Sequence, residues 1–261
     1  MKKITTKLVA VTMALVALSS CNTWVKLIEC EAVGGTKDAA KNIVSENDQI
    51  RITYDLWDRN GTLNYTVYNK TDKPLYVNWY KSAYIESGRK YNFNGAAESI
   101  TFIPPKSYVT NPVSYVLLDG QSTTYFTTNK SGSKMTATNV DVRNDPNKTT
   151  EEVAKTWKKS GKIKVYSKTY DMENTPLKFR NYVTVTVCAE ANECATPSSI
   201  MSFDNQFYVK KITEMTAKQF NGKGTKVKIN MKRGATKTKT KAIIYSYPYK
   251  SGDSFYIPLA N

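Results

Sequence analysis

The residue types missing from this chain limit its chemistry as much as those it contains. The sequence of 261 residues has no histidine, which excludes a Ser-His-Asp triad, a Cys-His pair and a histidine metal ligand. Paired carboxylates, or a serine with a lysine, remain. Ser131 and Lys134 fit the Ser-x-x-Lys pattern. They lie in a polar stretch, however, whereas a lysine that activates a serine needs a rigid, buried site, so we interpret this match as chance.

Acidic residues near the ends of predicted strands are the candidates for paired-carboxylate catalysis. They are Asp55, Asp58, Glu86, Glu98 and Asp119. Glycoside hydrolysis needs two carboxylates at a defined separation, and no spacing in the sequence defines one. We therefore expect solvated loop acids and no enzymatic activity.

Four cysteines are present, and two of them bracket a short predicted loop. Cys188 and Cys194 enclose the segment Ala-Glu-Ala-Asn-Glu, so a disulfide closing this loop is one expectation for an oxidising compartment. Two unpaired thiols are the alternative, and Cys30 is left over in either case. Zinc sites use four nitrogen or sulfur ligands, usually at closer spacings. We therefore expect no metal and no cofactor.

Cys21 follows a segment with the features of an export leader. Residues 1–20 begin with lysines and continue in an apolar run, 8–18, that is too short to span a bilayer. The run ends in Leu-Ser-Ser-Cys, where small residues give a peptidase access to the backbone and the thiol accepts a diacylglyceryl group. This pattern is a lipobox, and it predicts a signal peptide over 1–20 and a covalent acyl lipid on Cys21. A secreted protein with a chance cysteine at the cleavage site is the alternative.

The chain is strongly basic, with a formal net charge of +16. The predicted leader contains lysines but no acidic residue, so the body keeps most of this charge. In a compartment without nucleic acid, the counter-charges are lipopolysaccharide phosphates, anionic lipids, acidic glycans or an acidic partner protein. We expect one of these as partner and no nucleic acid.

The basic residues are concentrated near the C-terminus. From Thr216 to Gly252 there is no acidic residue. Lysines alternate with apolar residues along 226–232 and therefore share one face of a predicted strand, and 236–241 is predicted to be a mobile hairpin loop. The candidate face for an anionic ligand consists of Lys223, Lys226, Lys228, Lys232, Arg233, Lys237, Lys239 and Lys241. A lysine-rich face that only prevents edge-to-edge aggregation of strands is the alternative.

Tyrosine is abundant, with 18 residues, and exposed aromatic rows can stack on sugar rings. The group considered is Tyr76, Tyr80, Tyr84, Tyr91, Tyr245, Tyr247 and Tyr249. Tyrosine is also a favoured strand residue, and alternation places the neighbouring Trp79 in the core. We expect these tyrosines in the core or on a sheet surface.

Period-two alternation identifies the elements that would position these residues. Residues 50–56 alternate apolar with polar, Asn60-Gly61 is a strong hairpin signal, and 63–67 alternate again. A turn at 69–74 leads to a third strand, with Trp79 on its apolar face. Further strands are predicted at Ser99–Ile103, Ser114–Leu118, Thr123–Thr127, Ile163–Tyr166, Lys178–Val187, Phe207–Ile212, Thr225–Met231, Ala242–Tyr247 and Phe255–Leu259.

This pattern predicts a mainly β protein, a β-sandwich or two packed β-subdomains. One short helix is predicted near 150–160, at Thr150–Lys159, from a capping box at Thr149 and Glu152 and a stop at Ser160-Gly161. Residues 21–48 are interpreted as a lipidated tether whose apolar patch docks near the membrane or onto the domain. Residues 49–261 form the β-rich domain, with a candidate internal boundary at 130–148.

Several segments resemble a group of Bacteroidota lipoproteins that has no established activity. The resemblance rests on Cys21–Lys26, Ile52–Trp57, Tyr68–Val77 with Lys81-Ser82, Ile103–Ser107, and Phe179–Tyr182 with Phe207–Val209. It implies location more than activity. In such bacteria, acidic residues close behind the lipidated cysteine accompany export to the outer leaflet. Residues 22–28 contain none, which favours the periplasmic face of the outer membrane.

Together these patterns predict a non-enzymatic accessory or interaction subunit that is held at the outer membrane by its lipid. Its expected partners are the membrane and an envelope protein complex. A glycan- or lipopolysaccharide-binding module that uses the basic, tyrosine-rich β surface is the alternative.

Overall fold

The computed structural model describes residues 23–86, 88–93, 100–111, 115–116, 140–187, 200–233 and 236–259. Over these residues the chain forms seventeen strands and a single short helix. The elements are β1 (Trp24–Ala32), β2 (Thr36–Lys37), β3 (Ile43–Glu46), β4 (Ile50–Asp55), β5 (Thr62–Asn69), β6 (Leu75–Glu86), β7 (Arg89–Asn92), β8 (Ile100–Ile103), β9 (Tyr108–Thr110), β10 (Tyr115–Val116), β11 (Thr149–Ala154), β12 (Lys162–Thr169), β13 (Lys178–Val187), β14 (Ile200–Thr216), α1 (Ala217–Asn221), β15 (Gly224–Arg233), β16 (Thr236–Tyr245) and β17 (Ser254–Leu259).

The larger sheet has nine strands and is organised around β14. Strands follow the order β11-β12-β14-β13-β6-β7, while β1 joins β14 to β17 and β8 pairs with β6. β13 and β12 pair with successive parts of β14, and β1 also pairs with it, antiparallel along its second half. The mainly β fold predicted from the sequence is confirmed.

The second sheet has six strands in the order β10-β5-β4-β3-β2, with β9 also paired to β5. Its central hairpin, β4–β5, follows the predicted alternation, because Ile50, Ile52 and Tyr54 are fully buried. Asn60 and Gly61 in the connecting loop have φ angles of 69° and 75°. Asn and Gly adopt this left-handed conformation most readily, which is why the pair marks the turn.

The two sheets pack face to face around one apolar core. Tyr54 of the smaller sheet meets Phe207 of β14 edge-on at 4.9 Å, and Tyr65 lies 6.5 Å from Trp79 of β6, between ring centroids. All four side chains are at most 2% exposed. Burying an aromatic side chain of this kind contributes roughly 2–3 kcal/mol, so these contacts hold the sandwich together.

A buried polar contact also joins the sheets. The Tyr54 hydroxyl accepts hydrogen bonds from the side-chain amides of Asn181, at 3.0 Å, and Asn205, at 2.6 Å. The two asparagines are register partners on β13 and β14. A buried polar group needs a partner, so these bonds favour one alignment of the sheets.

The interpretation of residues 21–48 as a tether is wrong for Trp24–Glu46, which form β1 to β3. β1 pairs with β14 on one edge and with β17 on the other. The apolar run Val25–Ile28, which suggested a docking patch, is therefore buried inside the larger sheet. This run is part of the domain itself, as a strand of the larger sheet.

The helix predicted at Thr150–Lys159 is wrong, since residues 149–154 form β11, paired antiparallel with β12. Ser160-Gly161, which we interpreted as a helix stop, belongs to the turn of this hairpin, with Gly161 at φ +96°. Tertiary pairing of the β-branched residues in β11 overrides the local capping signal. The short helix is instead α1, after β14.

The candidate boundary at 130–148 is described only from Val140 onward. Strands from before and after this segment pair in the larger sheet, as β6 does with β13. Val140 and Val142 are buried in the main core.

Candidate anionic-ligand site

β15 and β16 form a two-stranded ribbon that, within the described part of the chain, pairs with neither sheet. Ten residue pairs, from Gly224 with Tyr245 to Arg233 with Thr236, set its register. At about 3.4 Å per residue the ribbon is roughly 30 Å long. The prediction of a mobile loop at 236–241 is wrong, since these residues belong to β16. Threonine favours strands, and the partner strand supplies the hydrogen bonds.

The register gathers the predicted lysine positions onto one face of this ribbon. Residues directly opposite in an antiparallel ladder lie on the same face, and positions two apart follow on that face. Lys228 pairs with Lys241, Lys232 with Lys237, and Asn230 with Lys239. The positions on this lysine face are Lys226, Lys228, Lys232, Lys237, Lys239 and Lys241. Arg233 occupies the opposite face, and Lys223 precedes the first pair.

The directly opposed Lys228 and Lys241 make the ribbon electrostatically unfavourable by itself. Like charges directly opposite each other on a sheet destabilise it. Lys226, Lys228 and Lys241 are exposed, so an anionic ligand can reach them. Such a ligand would relieve the repulsion.

The nearest carboxylates in sequence are engaged elsewhere. Glu214, 1% exposed, lies 3.0 Å from the Arg143 guanidinium and 3.6 Å from the Lys26 ammonium group. Asp253 accepts a hydrogen bond from Lys37 at 2.5 Å. Burial alone would raise the pKa of Asp253, but bonds from Lys37 and Ser251 outweigh it and place that pKa below its ordinary value. Both flanking acids therefore stabilise the fold.

The opposite face of the ribbon includes apolar residues. Val227 pairs with Ala242 and both are half-buried, while Ile244 is 59% exposed. Ile243, on the lysine face, is 51% exposed. Ile243 pairs with Lys226, so one exposed apolar side chain lies directly beside the charged row.

The base of the ribbon is anchored to the body. The Ser246 backbone amide donates to the Lys223 carbonyl at 3.1 Å, and the Tyr247 amide donates to the Asn221 carbonyl at 3.1 Å. The Tyr247 ring packs against Phe220, which is 1% exposed. Phe220 belongs to a second apolar cluster, which also contains Val25, Leu27, Val165 and Met215. Packing on this cluster fixes the base of the ribbon beside α1.

The ribbon's base lies close to the first described residue of the chain. The Thr23 carbonyl accepts a hydrogen bond from the Ala217 amide at 2.7 Å, and Trp24 is in register with Thr216 of β14 and Leu259 of β17. We call this part of the fold the anchor end: Thr23, α1 and the adjacent ends of β11, β12, β14 and β17.

Three of the five candidate catalytic acids, Asp55, Asp58 and Glu86, lie among the described residues. Asp55 accepts the Trp57 amide at 3.0 Å, and Asp58 accepts the Arg59 amide at 2.6 Å and the Thr62 hydroxyl. Both carboxylates thus stabilise the loop after β4. Glu86 ends β6 in the other sheet. Glu98, Asp119 and the pair Ser131 and Lys134 lie outside the described residues.

An open concavity of about 460 Å³ lies on the smaller sheet. It is lined by Asn42, Thr53, Asp55, Asn64, Tyr65, Thr66, Thr110 and Asn111. No lysine lines it, so it does not extend the lysine face.

The predicted tyrosine surface divides into separate environments. Tyr76 and Tyr84 are buried, at 6% and 3% exposure, and Tyr80 is 78% exposed on β6. Tyr247 and Tyr249 pack against the second apolar cluster. Trp79 is fully buried, as predicted.

Cys30 is a free thiol, fully buried in β1, and burial raises its pKa. Cys21, Cys188 and Cys194 lie outside the described residues, so the lipidation and the disulfide remain predictions. Over the described ranges, no three His, Cys, Asp or Glu residues cluster as metal ligands would. No helix in those ranges is long and apolar enough to cross a bilayer.

Sequence reasoning missed the buried ion cluster of Lys26, Arg143 and Glu214. The available signal was a lysine inside the apolar run Trp24–Ile28, which implies either a buried partner or a strand edge. Long-range pairing of β1 with β14 places Lys26 opposite Glu214.

Comparisons with protein-family models, curated proteins and solved structures found no match. Fold and site therefore define the class of this protein by themselves. It is a mainly β sandwich from which a basic two-stranded ribbon branches.

Proposed function

We propose that this protein is a non-enzymatic interaction subunit of the outer membrane, tethered through a lipid on Cys21 and facing the periplasm. Its binding element is the ribbon β15–β16, which binds an acidic surface of an envelope protein complex. The observation that carries the proposal is the row of paired lysine positions on a ribbon that, over the residues the structure describes, pairs with neither sheet.

Charge and apolar surface together favour a protein partner. The lysine face favours a polyanionic surface, and Ile243, exposed on that same face, adds apolar area beside the lysines. Protein interfaces combine an apolar centre with charged contacts at the rim. A partner of this kind would cover both features.

The position of Thr23 supports the tether. Cys21 precedes Thr23 by two residues, which span at most about 7 Å. An acyl chain on Cys21 would therefore lie beside the anchor end, from which the ribbon also starts. The binding element would then work close to the membrane surface.

The first test removes charge from the ribbon. The variant Lys226→Gln/Lys228→Gln/Lys241→Gln neutralises three exposed lysines. The matched control, Lys41→Gln/Lys73→Gln/Lys90→Gln, removes the same charge from exposed positions away from the ribbon. After gentle detergent extraction, we expect the wild type and the control to migrate as one stoichiometric complex, and the ribbon variant to migrate as a free protein.

The tether is tested separately with Cys21→Ser. Metabolic labelling with palmitate should mark the wild type and not this variant, and the variant should leave the membrane fraction. Recovery of the wild type only as an unlabelled monomer contradicts the proposal.

Lipopolysaccharide is the second candidate ligand, because its phosphates also match a row of lysines. Purified protein would be applied to immobilised lipid A with and without its phosphates. Retention that requires both the phosphates and the three ribbon lysines favours this candidate over a protein partner.

A further inference from the structure

A second basic element lies at the anchor end, in the hairpin loop between β11 and β12. Its sequence from Lys155 to Lys162 is Lys-Thr-Trp-Lys-Lys-Ser-Gly-Lys, and no acidic residue occurs from Val153 to Tyr170. Lys158, Lys159 and Lys162 are exposed. Trp157 is half-buried among them.

Hydrogen bonds fix this loop against α1. The Thr156 amide and hydroxyl donate to the side chain and backbone carbonyl of Gln219, at 3.2 and 2.6 Å. In return, the Gln219 side-chain amide donates to the Ala154 carbonyl at 3.0 Å. Gln219 is fully buried, and its hydrogen bonds hold the loop against α1. Loop and helix form one preorganised surface.

α1 adds a cation to this surface and joins it to the start of the described chain. The Lys218 ammonium lies 5.3 Å from the Trp157 ring centroid, within cation–π range. The neighbouring Ala217 donates its amide to the Thr23 carbonyl. Residue 21 precedes Thr23 by two residues, and two residues span at most about 7 Å.

We propose that this anchor-end surface, Lys155–Lys162 with Lys218, rests on the anionic headgroups of the bilayer that carries the lipid on Cys21. The lysines contact lipid phosphates and Trp157 lies at the interface, where tryptophan is enriched. The inference rests on the lipid anchor of the proposed function and is independent of the ribbon's ligand.

The charge of the anchor-end surface and its closeness to the start of the described chain both favour the bilayer as the partner that this surface contacts. A short acyl-linked segment cannot hold the domain far from the membrane, and the anchor-end surface that contacts Thr23 through α1 carries five lysines. An acyl anchor and a basic patch are the two signals that together give stable, oriented membrane binding. Docking would orient β14 with its Thr216 end toward the membrane and its Ile200 end away from it.

The test is lysine footprinting on the lipidated protein. The mature protein would be reconstituted in vesicles of mixed phosphatidylethanolamine and phosphatidylglycerol, and separately in phosphatidylcholine alone. Acylation of individual lysines by an amine-reactive ester would be followed by mass spectrometry. We expect Lys158, Lys159 and Lys162 each to react roughly fivefold more slowly on the anionic vesicles. Attraction of about 1 kcal/mol between one lysine and an anionic surface corresponds to a change of this size. High salt should abolish the difference.

Lysines elsewhere supply the internal controls. Lys41, Lys73 and Lys90, all exposed, should react equally on both vesicles. In the variant Lys155→Gln/Lys158→Gln/Lys159→Gln, the protection of Lys162 and Lys218 should fall, while an unchanged circular dichroism spectrum shows that the fold is retained.

The outcomes separate this inference from the proposed function. Equal reactivity of the loop lysines on the two vesicles overturns the docking surface and leaves the lipid anchor standing. Protection of the ribbon lysines in place of the loop lysines also overturns it, and assigns the membrane contact to the ribbon. If mass analysis of the purified protein finds no acyl group on Cys21, the anchor and this inference both fail, while the ribbon's complex remains separately measurable.

Discussion

Replacing Glu214 with glutamine tests how the anchor end is stabilised. Glu214 is 1% exposed. Its carboxylate accepts hydrogen bonds from the Arg143 guanidinium at 3.0 Å and the Val142 amide at 3.3 Å. Lys26, 2% exposed, lies 3.6 Å away and donates to the Val140 carbonyl at 2.5 Å. Burial lowers the pKa of Lys26, and attraction to Glu214 opposes that shift.

Substitution of Glu214 should lower the free energy of unfolding more than substitution of Lys26. Glu214→Gln leaves the Lys26 and Arg143 cations without their shared buried carboxylate, and breaking a buried ion pair in this way costs about 3–5 kcal/mol. Lys26→Met leaves Glu214 paired with Arg143 and removes the hydrogen bond to the Val140 carbonyl, which costs about 1–2 kcal/mol. The double variant Lys26→Met/Glu214→Gln contains no buried lysine that has lost its carboxylate. Its loss of stability should therefore be smaller than the sum of the losses in the two single variants.

Urea unfolding of the purified protein, followed by far-ultraviolet circular dichroism, gives the free energies. An unchanged denaturant slope would show that the midpoint shift reports stability. A Glu214→Gln variant less destabilised than Lys26→Met, or a strictly additive double variant, would refute this account of the cluster.

Three further predictions concern the core and its rim. Gly61→Ala should destabilise the fold by about 2–3 kcal/mol in thermal unfolding, because its Cβ would lie 2.8 Å from the buried Phe255 ring at a positive φ; a neutral result would mean that the loop rearranges freely. Tyr54→Phe should cost about 1–3 kcal/mol in urea unfolding, because two buried asparagine amides lose their acceptor; wild-type stability would show that water replaces the hydroxyl. Since the pKa of Asp253 is lowered in the fold, the stability from its bond with Lys37 is present above pH ~4 and is lost as the pH falls through the lowered value. Asp253→Asn should therefore flatten the dependence of the unfolding free energy on pH in that acid range, and a parallel shift of the whole curve would contradict the assignment.

The strands that sequence reasoning predicted correctly are those whose local pattern agrees with their burial. β4 alternates strictly, and its apolar residues Ile50, Ile52 and Tyr54 are the fully buried ones. β13 coincides with the predicted Lys178–Val187. Period two identifies such strands because one face meets the core.

The errors occur where distant pairing decides the structure. The run Trp24–Ile28 is too short and too close to the leader to indicate a strand by itself, yet β14 and β17 supply partners on both of its edges. Residues 150–154 carry a helix-capping signal that pairing with β12 overrides. Single-residue patterns contain no information about such partners.

The candidate site was predicted only in part, because its arrangement also depends on pairing between strands. Alternation placed Lys226 and Lys228 on one face, and the structure shows that Lys241, also predicted for this face, lies directly opposite Lys228. Pairing across the hairpin depends on register, which the Lys-Thr repeat leaves undefined, because a shift of two residues would match it equally well.

The register also bears on the alternative explanation, that the lysines only prevent aggregation. A few charges suffice to block strand addition at a free edge, and the opposed pair Lys228 and Lys241 adds repulsion within the ribbon for no further gain in protection. A two-stranded ribbon outside a larger sheet is marginally stable in water, so a purely protective design would avoid that repulsion. Since the flanking acids Glu214 and Asp253 are held in ion pairs within the fold, the counter-charge must come from outside the ribbon's own segment. An acidic partner would therefore stabilise the ribbon as it binds, and the ribbon's amides should exchange hydrogen more slowly in the complex than in the free protein.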